Sequence, residues 1–202
     1  MTPPDSSDRP AVLRCGRCGR IADWTEARVQ IVCGCRARLE LPPPLVREAA
    51  PADRACALDI FTREFGGRQL VADGQPVSLE HTDLLIAETE GGVAGALAWR
   101  RVSGALHIVA LATDPMWQRS GVGGYLLAEA ELLARRLSLP LVRVTISNDN
   151  IPALYFYQRR GYRLSAVLPD SLSSQPANRG LVGFANIPIA DEVQLAKNLT
   201  RR

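Results

Sequence analysis

The chain has few aromatic residues, a single lysine, little net charge and no long apolar run, and each shortage closes off a class of function. No uninterrupted apolar stretch approaches the roughly 20 residues that a membrane-spanning helix needs. The first ten residues, MTPPDSSDRP, lack the basic and apolar regions of a signal peptide. Neither a membrane protein nor a secreted one is expected, and the cytoplasm is the default location. A net charge of +3 is too small to imply nucleic acid by itself. Lys197 stands beside twenty-three arginines, a bias that runs along the whole chain and reads as genome-wide codon preference more than as selection for phosphate contacts. What is present, 202 residues with 47% hydrophobic content, suffices for one substantial core and a small appendage.

The appendage is marked by cysteine. Four of the five cysteines fall in CGRCGR (Cys15, Cys18) and CGC (Cys33, Cys35), on either side of a strand-like stretch around ARVQIV. Two close pairs about fifteen residues apart have the spacing of a zinc ribbon, in which glycine-containing knuckles present four thiolates tetrahedrally. Four protein ligands leave no open coordination position, so such a Zn2+ is structural. The second pair is one residue shorter than C-x-x-C, and redox or adventitious thiols are the other reading; disulfides suit a reducing cytoplasm less well. Cys56, within a helix-like run, is expected as a small core residue. LPPPL, residues 41–45, favours a stiff linker, which divides the chain into a module over 1–44 and one α/β unit over 45–202.

Within that unit LVRE reads as a short strand and PADRACALDIFTREF as a helix opened by Pro51 and closed at Gly66-Gly67. The runs LLIAETE, VAGALAWRR and ALHIVALAT follow, joined by tight turns at Gly91-Gly92 and Ser103-Gly104, which predicts an antiparallel meander. From Val122, Leu126, Ala130, Leu133 and Leu137 share one helical face, with Glu129 and Glu131 early and Arg135 and Arg136 late, as the helix dipole favours. LPLVRVTIS reads as a buried strand, and a second helix runs from about Pro152 to Arg160 before Gly161 stops it.

The stretch WQRSGVGGYLL, residues 117–127, joins the meander to the first of these two helices. Unpaired N–H groups and the positive end of the dipole point outward there, a setting that binds phosphate. Gly121, Gly123 and Gly124 leave the amides bare, and Gln118 and Arg119 add polar or cationic contacts. No G-K-[ST] and no G-x-G-x-x-G after a first βαβ strand is present, so the common nucleotide loops fit poorly. By itself the loop is equally compatible with an unliganded strand-to-helix turn.

VALATDPMWQRSGVGGYLL followed by SNDNIPALYFYQRRGY closely resembles the GNAT superfamily of N-acetyltransferases. The Q/R-x-x-G-x-G/A loop is met by Gln118, Arg119, Ser120, Gly121, Val122 and Gly123, and a later N-x-x-A-x-x-x-Y-x-x-x-G-[FY] pattern by Asn150, Ala153, Tyr157, Gly161 and Tyr162. The resemblance spans roughly residues 45–198. It implies an α/β mixed, splayed sheet with acetyl-CoA between two diverging parallel strands, and direct acetyl transfer to an amine within a ternary complex.

The resemblance also suggests roles. Tyr157 stands where the family commonly places a general acid for the departing thiolate; an aromatic packed beside Tyr155 and Phe156 is the structural alternative. Asn150 is placed to bond the pantetheine arm and is equally a natural N-cap. The backbone of Leu111, Ala112 and Thr113 would pair with the pantetheine, and one amide could polarise the thioester carbonyl. His107, eleven residues before Gln118, matches the position of a strand glutamate base in several members, with a merely hydrogen-bonded strand histidine as the alternative. Glu88 is the second candidate base. The tail GLVGFANIPIADEVQLAKNL resembles the closing pair of strands in one bacterial branch, but the loop before it, PDSLSSQPANRG, is polar and nearly neutral where that branch is more basic, so the acceptor amine, small molecule or protein, stays open. A homodimer is compatible with this reading. The other class of function is a zinc module that binds nucleic acid or the ribosome through Arg14, Arg17, Arg20, Arg28, Arg36 and Arg38; only Trp24 is aromatic there, which leaves base stacking thin.

Overall fold

The computed structural model describes residues 13–14, 21–22, 43–89, 91–118 and 120–200. Cys15, Cys18, Cys33, Cys35 and Arg119 lie outside the described residues, as do all the arginines of the basic N-terminal set except Arg14. In the N-terminal segment, β1 (Leu13–Arg14) pairs antiparallel with β2 (Ile21–Ala22), and the two flank the first cysteine pair in sequence.

A seven-stranded sheet organises the rest. Its strands are β3 (Leu45–Glu48), β6 (Asp83–Thr89), β7 (Gly92–Val102), β8 (Ala105–Thr113), β9 (Leu141–Ser147), β10 (Arg163–Leu168) and β11 (Glu192–Asn198), in the order β10-β11-β9-β8-β7-β6-β3. Every pairing is antiparallel except β8 with β9. The meander's second turn is as the sequence predicts, with Ser103 and Gly104 both at positive φ, 48° and 75°, as a two-residue hairpin turn demands; at the first, Gly92 is already in β7, paired with Thr89. The tail differs, because β11 pairs with β10 and β9, whereas residues 180–188 contribute only an isolated bridge between Val182 and Pro188.

Helix α1 (Arg54–Phe65) covers one face of the sheet. A short 3-10 turn at Pro51–Asp53 leads into it, and the Asp53 carboxylate accepts from the Ala50 amide at 2.7 Å and from Arg47 at 2.6 Å. Ala57, Leu58, Ile60 and Phe61 form its buried stripe. Cys56 is exposed, contrary to the expectation of a core residue, because it lies one residue, about 100° of helix, before that stripe.

Helix α2 (Val122–Arg136) covers the other face. Leu126, Leu127, Ala130, Leu133 and Ala134 pack there against Leu97, Leu106, Ile108 and Val142. Each fully buried leucine contributes about 1.5–3 kcal/mol. Leu137 does not join them: it is the exposed C-cap, beyond the last helical turn. Helix α3 (Ile151–Gln158) adds Tyr157 to the same core.

Besides β10, which the sequence reading did not assign, a hairpin escapes it. β4 (Gln69–Ala72) and β5 (Gln75–Ser78) form a hairpin through Asp73-Gly74, at φ 57° and 69°, which the Asp-Gly pair between apolar flanks could have signalled. Among the described residues no helix is long and apolar enough to cross a membrane.

Candidate functional site

The site begins with one extra residue in β8. Trp99 pairs with Ile108 and Ala98 with Ala110, so Val109 has no partner of its own on β7 and bulges. A bulge bends its strand, and here β8 leaves β9 at the same place. The parallel pairing runs from Ala105 opposite Leu141 to Ile108 opposite Val144 and ends there. Past that point a cavity of about 400 Å³ opens between the two strands, lined by Val109, Leu111, Thr145, Ile146, Asn150 and Tyr157. Leu70, Val71 and Pro76 of the hairpin, with Leu172, Gln175 and Asn178 of the loop after β10, form the opposite wall. That loop is the one the sequence placed beside the acceptor.

Next to Leu111 lies the glycine loop. Gly121 caps α2 at φ 98°, a left-handed conformation natural to glycine. Gly124 and Tyr125 donate back to its carbonyl at 2.8 and 3.2 Å, while the Val122 and Gly123 amides have no acceptor within the helix. Val122 buries its side chain in the core, so only its backbone serves the loop. Gln118 is exposed at the rim, and the Ser120 hydroxyl is committed to the Trp117 carbonyl.

The next two glycines have a reason that the sequence did not disclose. A Cβ on Gly123 would lie 3.3 Å from Leu111, and one on Gly124 3.1 Å from the Arg160 guanidinium. Arg160 lies over the Phe156 ring at 3.8 Å and donates to the Phe156 carbonyl at 2.9 Å, which holds a cation beside the start of α2. Burial lowers its pKa from the ordinary arginine value. Sequence reasoning missed Arg160; its place three residues after Tyr157, one helical turn on, was the available signal.

Asn150 is the N-cap: its Oδ1 accepts from the Ala153 amide at 3.0 Å. Its neighbours anchor the tail, since Asn148 Oδ1 accepts from the Ala190 and Asp191 amides and Asp149 Oδ2 from the Phe184 amide. Tyr157 is 4% exposed, reaches the cavity, and meets Phe156 and Tyr162 edge-on at 5.0 and 5.5 Å. Burial pushes the phenol's pKa well above its usual value.

The two candidate bases fare differently. His107 is fully buried in the stretch where β8 and β9 still pair, and it does not line the cavity. Its Nε2 is 2.8 Å from Thr145 Oγ1, and its Nδ1 is 3.2 Å from Asp73 Oδ2, off the line of a good hydrogen bond. Burial pushes the imidazole pKa down to about 4; Asp73 opposes that, and Arg100 and Arg143 add to it. Direct contact between His107 and an acceptor is thus closed by burial. Glu88 is not brought to the site: it sits on β6, with β7 between it and β8, and accepts from Arg47 Nε at 3.0 Å. Ala112 and Thr113 continue β8 past the cavity, paired with β7 on one side.

Comparison with known proteins agrees with this geometry. Residues 80–164 match the family described as Acetyltransferase (GNAT) domain. The chain is 28% identical over 143 residues to the uncharacterised protein YxbD of Bacillus subtilis, covering 69% of this chain and 89% of that protein. It is 35% identical over 83 residues to the blasticidin-S acetyltransferase of Streptomyces morookaense, covering 41% of this chain and 57% of that enzyme. A crystal structure of a GNAT family acetyltransferase from Elizabethkingia anophelis with acetyl-CoA bound superposes with a TM-score of 0.62 at 17% identity, covering 79% of this chain and all of that one.

Proposed function

We propose, from the premise that the chain carries a GNAT acetyltransferase domain, that it moves the acetyl group of acetyl-CoA directly to a primary amine held in the same cavity. The observation that carries this is the parting of β8 from β9 over a cavity with Tyr157 in its wall and the glycine-started helix packed on Leu111. In this reading the diphosphate meets the Val122 and Gly123 amides and the α2 dipole, with Gln118 and Arg160 around it, and Arg119 joins them on the motif alone. The pantetheine extends along the edge of β8 at Leu111, Ala112 and Thr113 that β9 has vacated. Asn150, whose Oδ1 is spent on the cap, offers Nδ2.

The amine lone pair attacks the thioester carbon, a β8 amide takes charge from the carbonyl oxygen, and the C–S bond breaks. Tyr157 donates its proton to the departing thiolate. Its raised pKa does not oppose this role, because the apolar surroundings that raise a phenol also raise a thiol. Proton removal from the amine passes by way of water or through Thr145 toward His107.

The N-terminal cysteines we assign to a structural zinc ribbon over residues 1–44, apart from the catalytic unit over 45–202. The ligand spacing supports this, and the β1–β2 pairing draws together the two ends of the segment that holds the first cysteine pair. Calorimetry with acetyl-CoA, followed by an amine screen for thiol release, tests the main reading. A folded protein with no affinity for acetyl-CoA would refute it.

A further inference from the structure

A fully buried histidine in direct line with a cavity hydroxyl has a consequence for the acceptor. We propose that Thr145 Oγ1 is the group that meets the acceptor amine, held with its lone pairs toward the cavity by its hydrogen bond to His107, whose tautomer the Asp73 carboxylate sets. The proposal rests on the acetyl-transfer reading above and deepens it at the acceptor end.

That hydrogen bond has a direction, and Asp73 sets it. Asp73 sits at the turn of the β4–β5 hairpin, and its carboxylate is met by donors: Arg100 at 3.0 Å, Arg143 at 3.3 Å and Gln194 at 2.9 Å. The turn is fixed from its backbone too, because the Asp73 and Gly74 amides donate to the Glu192 carboxylate at 2.9 and 3.1 Å. The Asp73 carboxylate oxygen 3.2 Å from Nδ1, though off the line of a hydrogen bond, repels a bare lone pair there and so favours the tautomer with hydrogen on Nδ1. A neutral ring has one N–H, so His107 Nε2 is left as the lone pair. The ring is neutral near pH 7 because burial holds its pKa at about 4. Thr145 Oγ1, 2.8 Å away, therefore donates its only hydrogen to Nε2. A hydroxyl so committed can only accept from the cavity side, so it recognises N–H. Attack on the thioester requires that the amine's N–H bonds be held while its lone pair is aimed, and a fixed acceptor does that.

The surroundings narrow the amine. Leu70, Val71, Leu172 and Ile189 give the acceptor side an apolar lining. The two acidic groups next to His107, Asp73 and Glu192, are matched by Arg100 and Arg143, so little net charge is left to hold a second cation. The acceptor class is then a primary amine on an apolar body, in preference to a polyamine. In this scheme Thr145 touches substrate, and His107 and Asp73 are positioning residues.

The test uses the full-length protein with 2-phenylethylamine as probe. Thr145→Val is expected to raise the KM for this amine roughly tenfold, the scale of one lost hydrogen bond, with the KM for acetyl-CoA unchanged; Thr145→Ser, which keeps the hydroxyl, recovers most of it. In protein labelled with 15N at histidine, His107 should show Nδ1 protonated and Nε2 bare at pH 7, with Nε2 shifting in Thr145→Val. An unchanged amine KM in Thr145→Val overturns the proposal, as does a proton on Nε2. Wild-type protein that binds acetyl-CoA yet transfers nothing to the probe overturns it as well. Failure to bind acetyl-CoA overturns the acetyl-transfer reading instead, and the ring tautomer still decides the direction of the hydrogen bond.

Discussion

Acid should destabilise the protein in a window set by His107. In the folded chain the ring is pushed to about 4 by burial, with Asp73 and Glu192 pulling it up and Arg100 and Arg143 pulling it down. In the unfolded chain it returns to about 6.5. Above that value neither state holds the proton, and His107 leaves stability independent of pH. Between pH 6.5 and 4 the unfolded chain binds a proton that the folded chain refuses, so stability falls as the pH falls. Each pH unit costs about 1.4 kcal/mol, so roughly 3 kcal/mol is lost by pH 4 and no more below it. Against a usual total of about 5–15 kcal/mol this is a large share. Urea unfolding of wild type and His107→Gln at several pH values from 7.5 to 4 isolates the effect, because carboxylates common to both cancel. Asp53, whose pKa is lowered by Arg47 and by the Ala50 amide, loses its contribution only at more acid pH, and equally in both proteins. The wild-type advantage should shrink by roughly 3 kcal/mol across the window. Parallel curves, or a His107 ring that titrates near 6.5 by NMR, would refute the reasoning.

Four further outcomes are expected. Tyr157→Phe should keep the edge-on ring contacts and lower kcat by roughly 10²–10⁴-fold with little change in acetyl-CoA affinity, measured by steady-state kinetics beside calorimetry. Gly123→Glu should abolish acetyl-CoA binding and also lower the melting temperature, since its Cβ presses on Leu111 at 3.3 Å; unchanged CoA affinity would remove the loop from the cofactor site. Arg160→Ala should weaken acetyl-CoA binding by roughly tenfold, and less at high salt if the guanidinium acts as a charge beside phosphate. Cys18→Ser should release one zinc, by elemental analysis, while residues 45–202 keep their melting transition; protein purified without chelator that contains no zinc counts against the ribbon.

Much of the fold was legible because its signals are local. The Ser103-Gly104 turn, the proline at the start of α1 and the apolar face of α2 each rest on a few adjacent residues. The motif glycines were legible as a loop but not as to cause: that Gly123 and Gly124 are occupied by Leu111 and Arg160 depends on how α2, α3 and β8 pack. His107 was placed on the right strand, yet its burial is a tertiary fact, produced by a hairpin tip some thirty residues earlier that docks over it. Thr145 went unremarked because a threonine in a strand is ordinary until a histidine stands behind it. Glu88 looked like a candidate because sequence shows a strand carboxylate and not the Arg47, 41 residues earlier on the neighbouring strand, that claims it.

The deepest reason the site is hard to read is Val109. Alternation along β8 predicts that His107, Val109 and Leu111 share a face, and in a regular strand they would. The bulge breaks the count: Val109, Ala110 and Ala112 turn toward α1 and the hairpin, whereas Leu111 joins Leu106 and Ile108 on the side of α2. That reversal lets one strand face the hairpin before the bulge and α2 after it. Before the bulge, His107 faces Asp73 of the hairpin and, through Thr145, the cavity. After it, Leu111 packs against Gly123 at the start of α2. Paired in unbroken alternation, the same residues would put Leu111 on the hairpin face with His107. The cavity and the loop contact thus meet where one bulged residue reverses the faces of β8, and no pattern of residue types in VALATDP announces it.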